Sequence, residues 1–206
     1  MDRGQKIGYR RKRVNLLIER ENIYPEVSRL SVLNLISERG SIRKYTNKSI
    51  TKGDLHKILE AARLAQSAAN RQPWQFIVVT DKEVKDKLAD AAHWLDRPRQ
   101  PSVETAAAVI VCLADPEMSA NWFQVDSAIA TENMALTAWE MGIGSCWIGA
   151  FREDAVKTVL AIPENLRVVS LLTLGYADEK PRPKNRKTLE EIVHYNKFGQ
   201  KNPEPP

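Results

Sequence analysis

Nine consecutive apolar residues, Ala106 to Ala114, constrain what this chain can fold into. The run falls well short of the roughly 20 residues needed to cross a bilayer, and it suits a strand buried inside a core. Three further segments are strand-like: Gln75 to Thr80, Ser145 to Ile148, and Leu166 to Tyr176, the most β-rich of all. Helical patterns stand between them. Ser28 to Glu38 carries a stripe of Leu30, Leu33 and Ile36. Thr51 with Asp54 forms a capping-box variant before a helix that runs to about Gln66 and buries Leu55, Ile58, Leu59 and Ala62. Asp81 to about Leu95 is amphipathic through Val84, Leu88 and Ala91. Two prolines make Arg97 to Pro101 a loop. Trp122 to Met141 has so little charge that it must be buried on most sides, and Gly142 and Gly144 end it. Arg152 to Leu160 is a last long helix before Pro163, and Thr188 to Tyr195 is helical or extended. Strands that alternate with helices predict, on pattern alone, a parallel α/β sheet.

Two stretches carry chemistry. Arg39-Gly40-Ser41-Ile42-Arg43 puts two guanidinium groups and a hydroxyl within five residues. Both arginines stay charged at any relevant pH, and their forked donors match a phosphate. Because the cluster follows a helix C-terminus, where the macrodipole disfavours anions, the side chains must supply the positive potential themselves. Ser67-Ala68-Ala69-Asn70-Arg71-Gln72-Pro73-Trp74 packs a hydroxyl, two carboxamides, a proline and an indole into eight residues. Carboxamides both donate and accept, as the edge of a heterocycle such as an isoalloxazine requires. Phosphate at one end and a heteroaromatic edge at the other describe a mononucleotide cofactor. Each motif also has an ordinary reading, a solvated helix end for the first and a turn before a strand for the second.

The two stretches resemble the signatures of the FMN-dependent nitroreductase family, flavoenzymes that reduce nitroaromatics and quinones with NAD(P)H. Gly142-Ile-Gly-Ser-Cys-Trp-Ile-Gly149 and Pro183-Lys184-Asn185-Arg186-Lys187 fit the same family in order, and the likeness covers roughly residues 30 to 196. It implies an α+β fold with a mixed, largely antiparallel central sheet flanked by helices. It also implies an obligate homodimer whose C-terminal segments cross to the partner. That fold is preferred here over the parallel sheet. The likeness further implies that Arg39, Gly40 (through its backbone), Ser41, Arg43, Lys184 and Arg186 hold the FMN phosphate and ribityl region. Ser67, Asn70 and Gln72 would touch the flavin, with Ser67 and Asn70 reaching it from the partner subunit. Trp147, Ile148 and Gly149 would run past the isoalloxazine, with a backbone N–H near Gly149 donating to N5. Gly40 departs from the family, where a larger and often basic residue is common. For Trp74, core packing is the preferred reading. No side chain need act as a catalytic acid or base, since the cofactor does the hard step and NADH or NADPH supplies the reductant. Turnover would be ping-pong onto a small-molecule acceptor.

Composition narrows the partners. Residues 1–13 hold six basic side chains and one acid, which account for the whole formal charge of +5 and leave the rest of the chain neutral. The body therefore has no bulk electrostatic footprint for nucleic acid, and no apolar run suits a membrane or a secretion signal. Two cysteines in apolar surroundings, Cys112 and Cys146, fit free thiols in a reducing cytoplasm. The expected organisation is a basic extension over 1–27, an FMN-binding domain over 28–196 and a polar tail over 197–206. The glycines of 142–149 match neither a dinucleotide loop, whose third glycine would come earlier, nor a phosphate loop, since Ala150 replaces the lysine. His56, His93 and His194 lack metal-site spacing. Reductive dehalogenation or reduction of free flavin on the same fold, and a flavin-binding module without turnover, are the alternative readings.

Overall fold

The computed structural model describes residues 31–92, 99–181 and 185–201. The basic extension, the start of the helix expected from Ser28, Lys184 and the last five residues lie outside the described residues.

Strand β2, Ala108–Ala114, is buried at every position, as its unbroken apolar run requires. It pairs antiparallel with β1 (Trp74–Val79) on one side and with β4 (Arg167–Gly175) on the other. Strand β3 (Gly144–Ile148) closes the far side of β4, also antiparallel, and the sheet order is β1-β2-β4-β3. The parallel sheet that alternation alone predicts does not form. Strands β2 and β3 do run the same way, but β4 is inserted between them, and β1 and β4 run against both, so the pattern fails in adjacency and in the direction of two strands. Among the described residues the parallel contact is an isolated bridge between Ser41 and Ser145.

Helices cover both faces. Helices α3 (Lys82–Ala91), α4 (Pro101–Thr105) and α6 (Glu153–Leu160) pack Leu88, Val103 and Val156 against Val109, Val111 and Leu171. Helices α2 (Lys52–Arg63) and α5 (Phe123–Glu140) pack Ile58, Ala62, Met134 and Ala138 against Ile110 and Leu172. Thr51 caps α2 as expected, its Oγ1 accepting the Asp54 N–H at 3.1 Å, and Asp81 does the same for α3 at Val84. Pro101 is not the end of a loop but the first residue of α4, where a missing N–H costs nothing. Helix α1 (Val32–Glu38) carries the apolar stripe of Leu33 and Ile36 on its outer side, 73% and 50% exposed, and buries only Leu35. Helix α7 (Leu189–Ile192) has a full capping box between Thr188 and Glu191 and no buried residue. No helix among the described residues is long and apolar enough to cross a membrane.

Neither cysteine is in a disulfide, and both are buried. Burial pushes the Cys112 thiol up to about 11, with hydrogen bonds from Thr131, Ser127 and Ser170 opposing the shift. In the folded protein at neutral pH, Cys112 should resist alkylation by iodoacetamide and become labelled only on unfolding. Mass spectrometry of digests reads this directly, and rapid native labelling would contradict the burial.

Candidate functional site

The arginine stretch is held in an extended path. Arg39 caps the C-terminus of α1, its N–H donating to Leu35 O at 2.9 Å. The chain then enters between the start of β3 and the continuation of β4. The Ile42 N–H donates to Ser145 O at 2.9 Å, Asp178 N–H to Lys44 O at 2.9 Å, and Thr46 N–H to Tyr176 O at 2.8 Å. Ile42 and Tyr45 turn inward and lie on Gly144 and Gly175, which face each other across β3 and β4. A Cβ on Gly175 would stand 2.6 Å from the Tyr45 ring, and one on Gly144 would stand 2.8 Å from Ile42 Cγ1. The glycine pair is a bed that lets the loop lie against the strands.

Ser41 and Arg43 line a cavity of about 530 Å³. Lys44, Glu179 and the Gln100-Pro101-Ser102 entry to α4 complete its lining. Glu179 Oε1 accepts the N–H groups of Arg43 and Lys44 at 2.6 and 3.2 Å, which ties the loop to the segment after β4. The same tie explains Gly40. Pro181 packs so closely on it that a Cβ would collide with the proline ring, so the larger side chain expected from the family has no room. Pro181, just ahead of the Pro183–Lys187 stretch, thereby lies against the arginine loop. Lys184 lies outside the described residues, and Arg186 is exposed.

Two polar atoms are buried without a hydrogen bond, Ser102 Oγ in the cavity lining and Arg39 Nε on the α5 side. Arg39 Nε lies 3.4 Å from Glu132 Oε1, within ion-pair range but without hydrogen-bond geometry. Unsatisfied buried donors carry a cost of about 1–3 kcal/mol each, which an anionic ligand can relieve.

The carboxamide stretch is a strained loop between α2 and β1. Ala69, Asn70 and Gln72 take left-handed backbone angles, with φ of 50°, 56° and 50°. Buried Asp126 at the start of α5 steadies it. One carboxylate oxygen accepts the Ala68 N–H at 2.9 Å and the other accepts the Ser119 hydroxyl at 2.9 Å. Ser67 Oγ accepts the Gln72 N–H at 3.0 Å, and Gln72 Nε2 donates to Asn70 O at 3.2 Å. Asn70 and Gln72 are exposed. Strained backbone over-determined by its surroundings is characteristic of ligand clamps. Trp74 is half-buried against the α2/α5 core, as its packing reading has it.

The third stretch ends β3. Ile148 faces the α3/α6 core and is 6% exposed, so it can offer a ligand only its backbone. Trp147 points the other way and is 37% exposed, and Gly149 is exposed beside its indole. The arginine loop and this segment share the β3 side of the sheet, whereas the Ser67–Gln72 loop feeds β1 at the opposite edge. The axes of β1 and β3 are therefore about 14 Å apart, three strand spacings.

This chemistry fits the phosphate end of a flavin mononucleotide: the Arg43 guanidinium, the Lys44 ammonium and the Ser41 hydroxyl line one polar cavity. Lys44, Gln100, Ser102 and Glu179 are the residues that sequence reasoning missed. Only Lys44 adjoins a motif; the others arrive from α4 and from the end of β4 and carry no local signal.

Comparison with known proteins shows the family. The family described as "Nitroreductase family" matches residues 36–176. A protein of Archaeoglobus fulgidus named as an NADH dehydrogenase/NAD(P)H nitroreductase is 44% identical over 157 residues, covering 72% of this chain and 87% of its own length. The structure of an FMN-dependent nitroreductase from Clostridium difficile is similar with a TM-score of 0.73 at 32% identity, over 81% of this chain and 99% of that one. An NADPH:FMN oxidoreductase from Vibrio harveyi, solved with NAD+, gives a TM-score of 0.74 at 30% identity, over 83% and 79% of the two chains. Sequence and fold lead to one conclusion, that the chain belongs to the nitroreductase family and is a flavin-dependent NAD(P)H oxidoreductase.

Proposed function

We propose that the protein is an FMN-dependent homodimer that takes electrons from NADH or NADPH and reduces nitroaromatic, quinone or related small acceptors in the cytoplasm by ping-pong turnover. The observation that carries this reading is the cavity joining Ser41, Arg43 and Lys44 to the unpartnered Ser102 hydroxyl. Arg39, Ser41 and Arg43, with Lys184 and Arg186 from the connector that Pro181 docks on Gly40, would hold the phosphate and ribityl end. The Gly40 backbone adds contact there without a side chain. Trp147, Ile148 and Gly149 would pass the ring system, Ile148 through its backbone alone. FMN, when bound, supplies the two-electron chemistry, accepting hydride from the nicotinamide and delivering electrons to the acceptor. The chain positions the cofactor, excludes water and holds charge.

Ser67, Asn70 and Gln72 would serve the flavin of a second copy. Two observations support this. These residues flank β1, at the sheet edge opposite the arginine loop. Large apolar side chains also stand open on α1, on the α5 entry and on the C-terminal segment: Val32 68%, Leu33 73%, Trp122 53%, Leu189 70% and Phe198 93% exposed. A flavin-reductase reading stands second, favoured by 31% identity to the NADPH-flavin oxidoreductase of Vibrio harveyi.

The test is a purification followed by a titration. The protein should carry flavin absorption, release FMN rather than FAD by mass spectrometry, and scatter light as about twice its 23.3 kDa chain mass. Arg43→Ala should weaken FMN binding by about 10- to 150-fold, the equivalent of losing one charge-assisted hydrogen bond of about 1.5–3 kcal/mol. Release of FAD, or a flavin-loaded monomer, would overturn the reading. Turnover of quinones against free flavin separates its two forms.

A further inference from the structure

Tyr45 is buried, 7% exposed, at the end of the arginine stretch. Its hydroxyl lies 2.6 Å from Ile42 O and 2.7 Å from Thr173 Oγ1. Thr173 Oγ1 lies in turn 3.2 Å from Cys146 O, one residue before Trp147. Two hydroxyl protons face three close contacts. The two shortest are satisfied together when Tyr45 donates to Ile42 O and Thr173 donates to the Tyr45 oxygen. Burial holds the phenol proton well above its ordinary range, so Tyr45 acts as a fixed donor and not as an acid in turnover.

The effect falls on one peptide unit. The carbonyl of the Ile42–Arg43 peptide accepts from Tyr45, while its N–H donates to Glu179 at 2.6 Å. The preceding N–H, that of Ile42, is fixed to Ser145 O. A planar peptide gripped at both its polar ends cannot rotate, and the direction in which Arg43 leaves the backbone is fixed with it. Ser41 is fixed from the other side by its bridge to Ser145.

We propose that Tyr45 is a positioning residue for the phosphate end of the cofactor: with Thr173 and Glu179 it clamps the Ile42–Arg43 peptide so that Ser41 and Arg43 face the phosphate before it arrives. This rests on the FMN reading above. It predicts a loss centred on the phosphate, because the clamp meets the ring segment only through Thr173 at Cys146 O and does not touch the carboxamide loop.

The experiment compares FMN with riboflavin, which lacks the phosphate, by fluorescence quenching on the full-length apo-protein. Tyr45→Phe keeps the ring on Gly175 and removes only the hydroxyl. It should raise the FMN Kd about tenfold and the riboflavin Kd by less than about twofold. Thr173→Val should move FMN binding in the same direction and Thr173→Ser should restore it, so the pair decides the matter if Tyr45→Phe proves unstable. Equal losses for both ligands would show a generic packing role, and no loss for either would show that the clamp is idle; each overturns the proposal. If the unaltered protein fails to prefer FMN over riboflavin, the phosphate anchoring itself falls and the clamp with it. A preference for FMN that survives Tyr45→Phe intact removes the clamp alone.

Discussion

Alanine at Gly175 is expected to lower the melting temperature of the apo-protein and to cost it flavin in the same step. The added methyl would meet Tyr45 Cδ1 at 2.6 Å, Cγ at 2.8 Å and Cβ at 3.1 Å. These atoms sit near the backbone of a ring pinned at its far end by Ile42 O and Thr173, so no flexible tip can swing aside. Overpacking of this kind costs about 1–3 kcal/mol. For a chain of this size that corresponds to a fall of about 2–12 °C. Gly144→Ala, against Ile42 on the paired strand, should cost a similar amount. The double substitution should cost less than the sum, because either change alone already lifts the loop that both glycines bear. Calorimetry of the three variants with flavin titration checks this. Undiminished stability and affinity for Gly175→Ala would mean that the loop does not dock on the strands.

Deletion from Thr188 onward should yield a monomer that has lost most of its FMN. Among the described residues every hydrogen bond of 188–201 stays inside that segment: Tyr195 N–H to Gln200 O at 2.8 Å, Gly199 N–H to His194 Nδ1 at 2.8 Å, and Lys201 Nζ to Glu191 O at 3.2 Å. His194 and Phe198 stack with ring centroids 4.3 Å apart. The segment thus holds its own shape yet leaves Leu189, Ile192 and Phe198 uncovered. Burying a side chain of that size contributes about 1.5–3 kcal/mol, so three of them on a partner would contribute several kcal/mol to association. Light scattering at low concentration and the flavin-to-protein absorbance ratio measure the two losses. A truncated protein that remains a fully flavinated dimer would show that the segment is no clasp.

Local signals carried most of the secondary structure. The Thr51 cap, the buried run of β2 and the low charge of α5 each act within a few residues, so the chain reveals them directly. What failed was relational. The stripe of Leu33 and Ile36 has helical period whether it meets the core or another surface, and period alone does not say which. Alternation of strands and helices gets the common sense of β2 and β3 but misses that β1 and β4 run against them and that β4 enters between them. At the site, the arginines and carboxamides were legible because they cluster in sequence. Glu179, Ser102 and Tyr45 were not, because each earns its place through a partner far along the chain. Gly40 was legible as a departure from the family, and its cause became visible only with Pro181 packed against it.

The left-handed run at Ala69, Asn70 and Gln72 bears on how such a protein evolves. Each such angle in a residue with a Cβ costs about 1 kcal/mol, least for asparagine. Glycine would relieve that cost at any of the three, but with different consequences. At Ala69 no functional group disappears, so stability can rise while the loop only loosens. At Asn70 and Gln72 the same relief discards a carboxamide. Selection for heat resistance alone would thus drift toward glycine and erode the loop, whereas selection for turnover must keep side chains in a conformation they disfavour. On the flavin-contacting role proposed for the two carboxamides, the loop marks a place where thermostability and activity are traded against each other residue by residue.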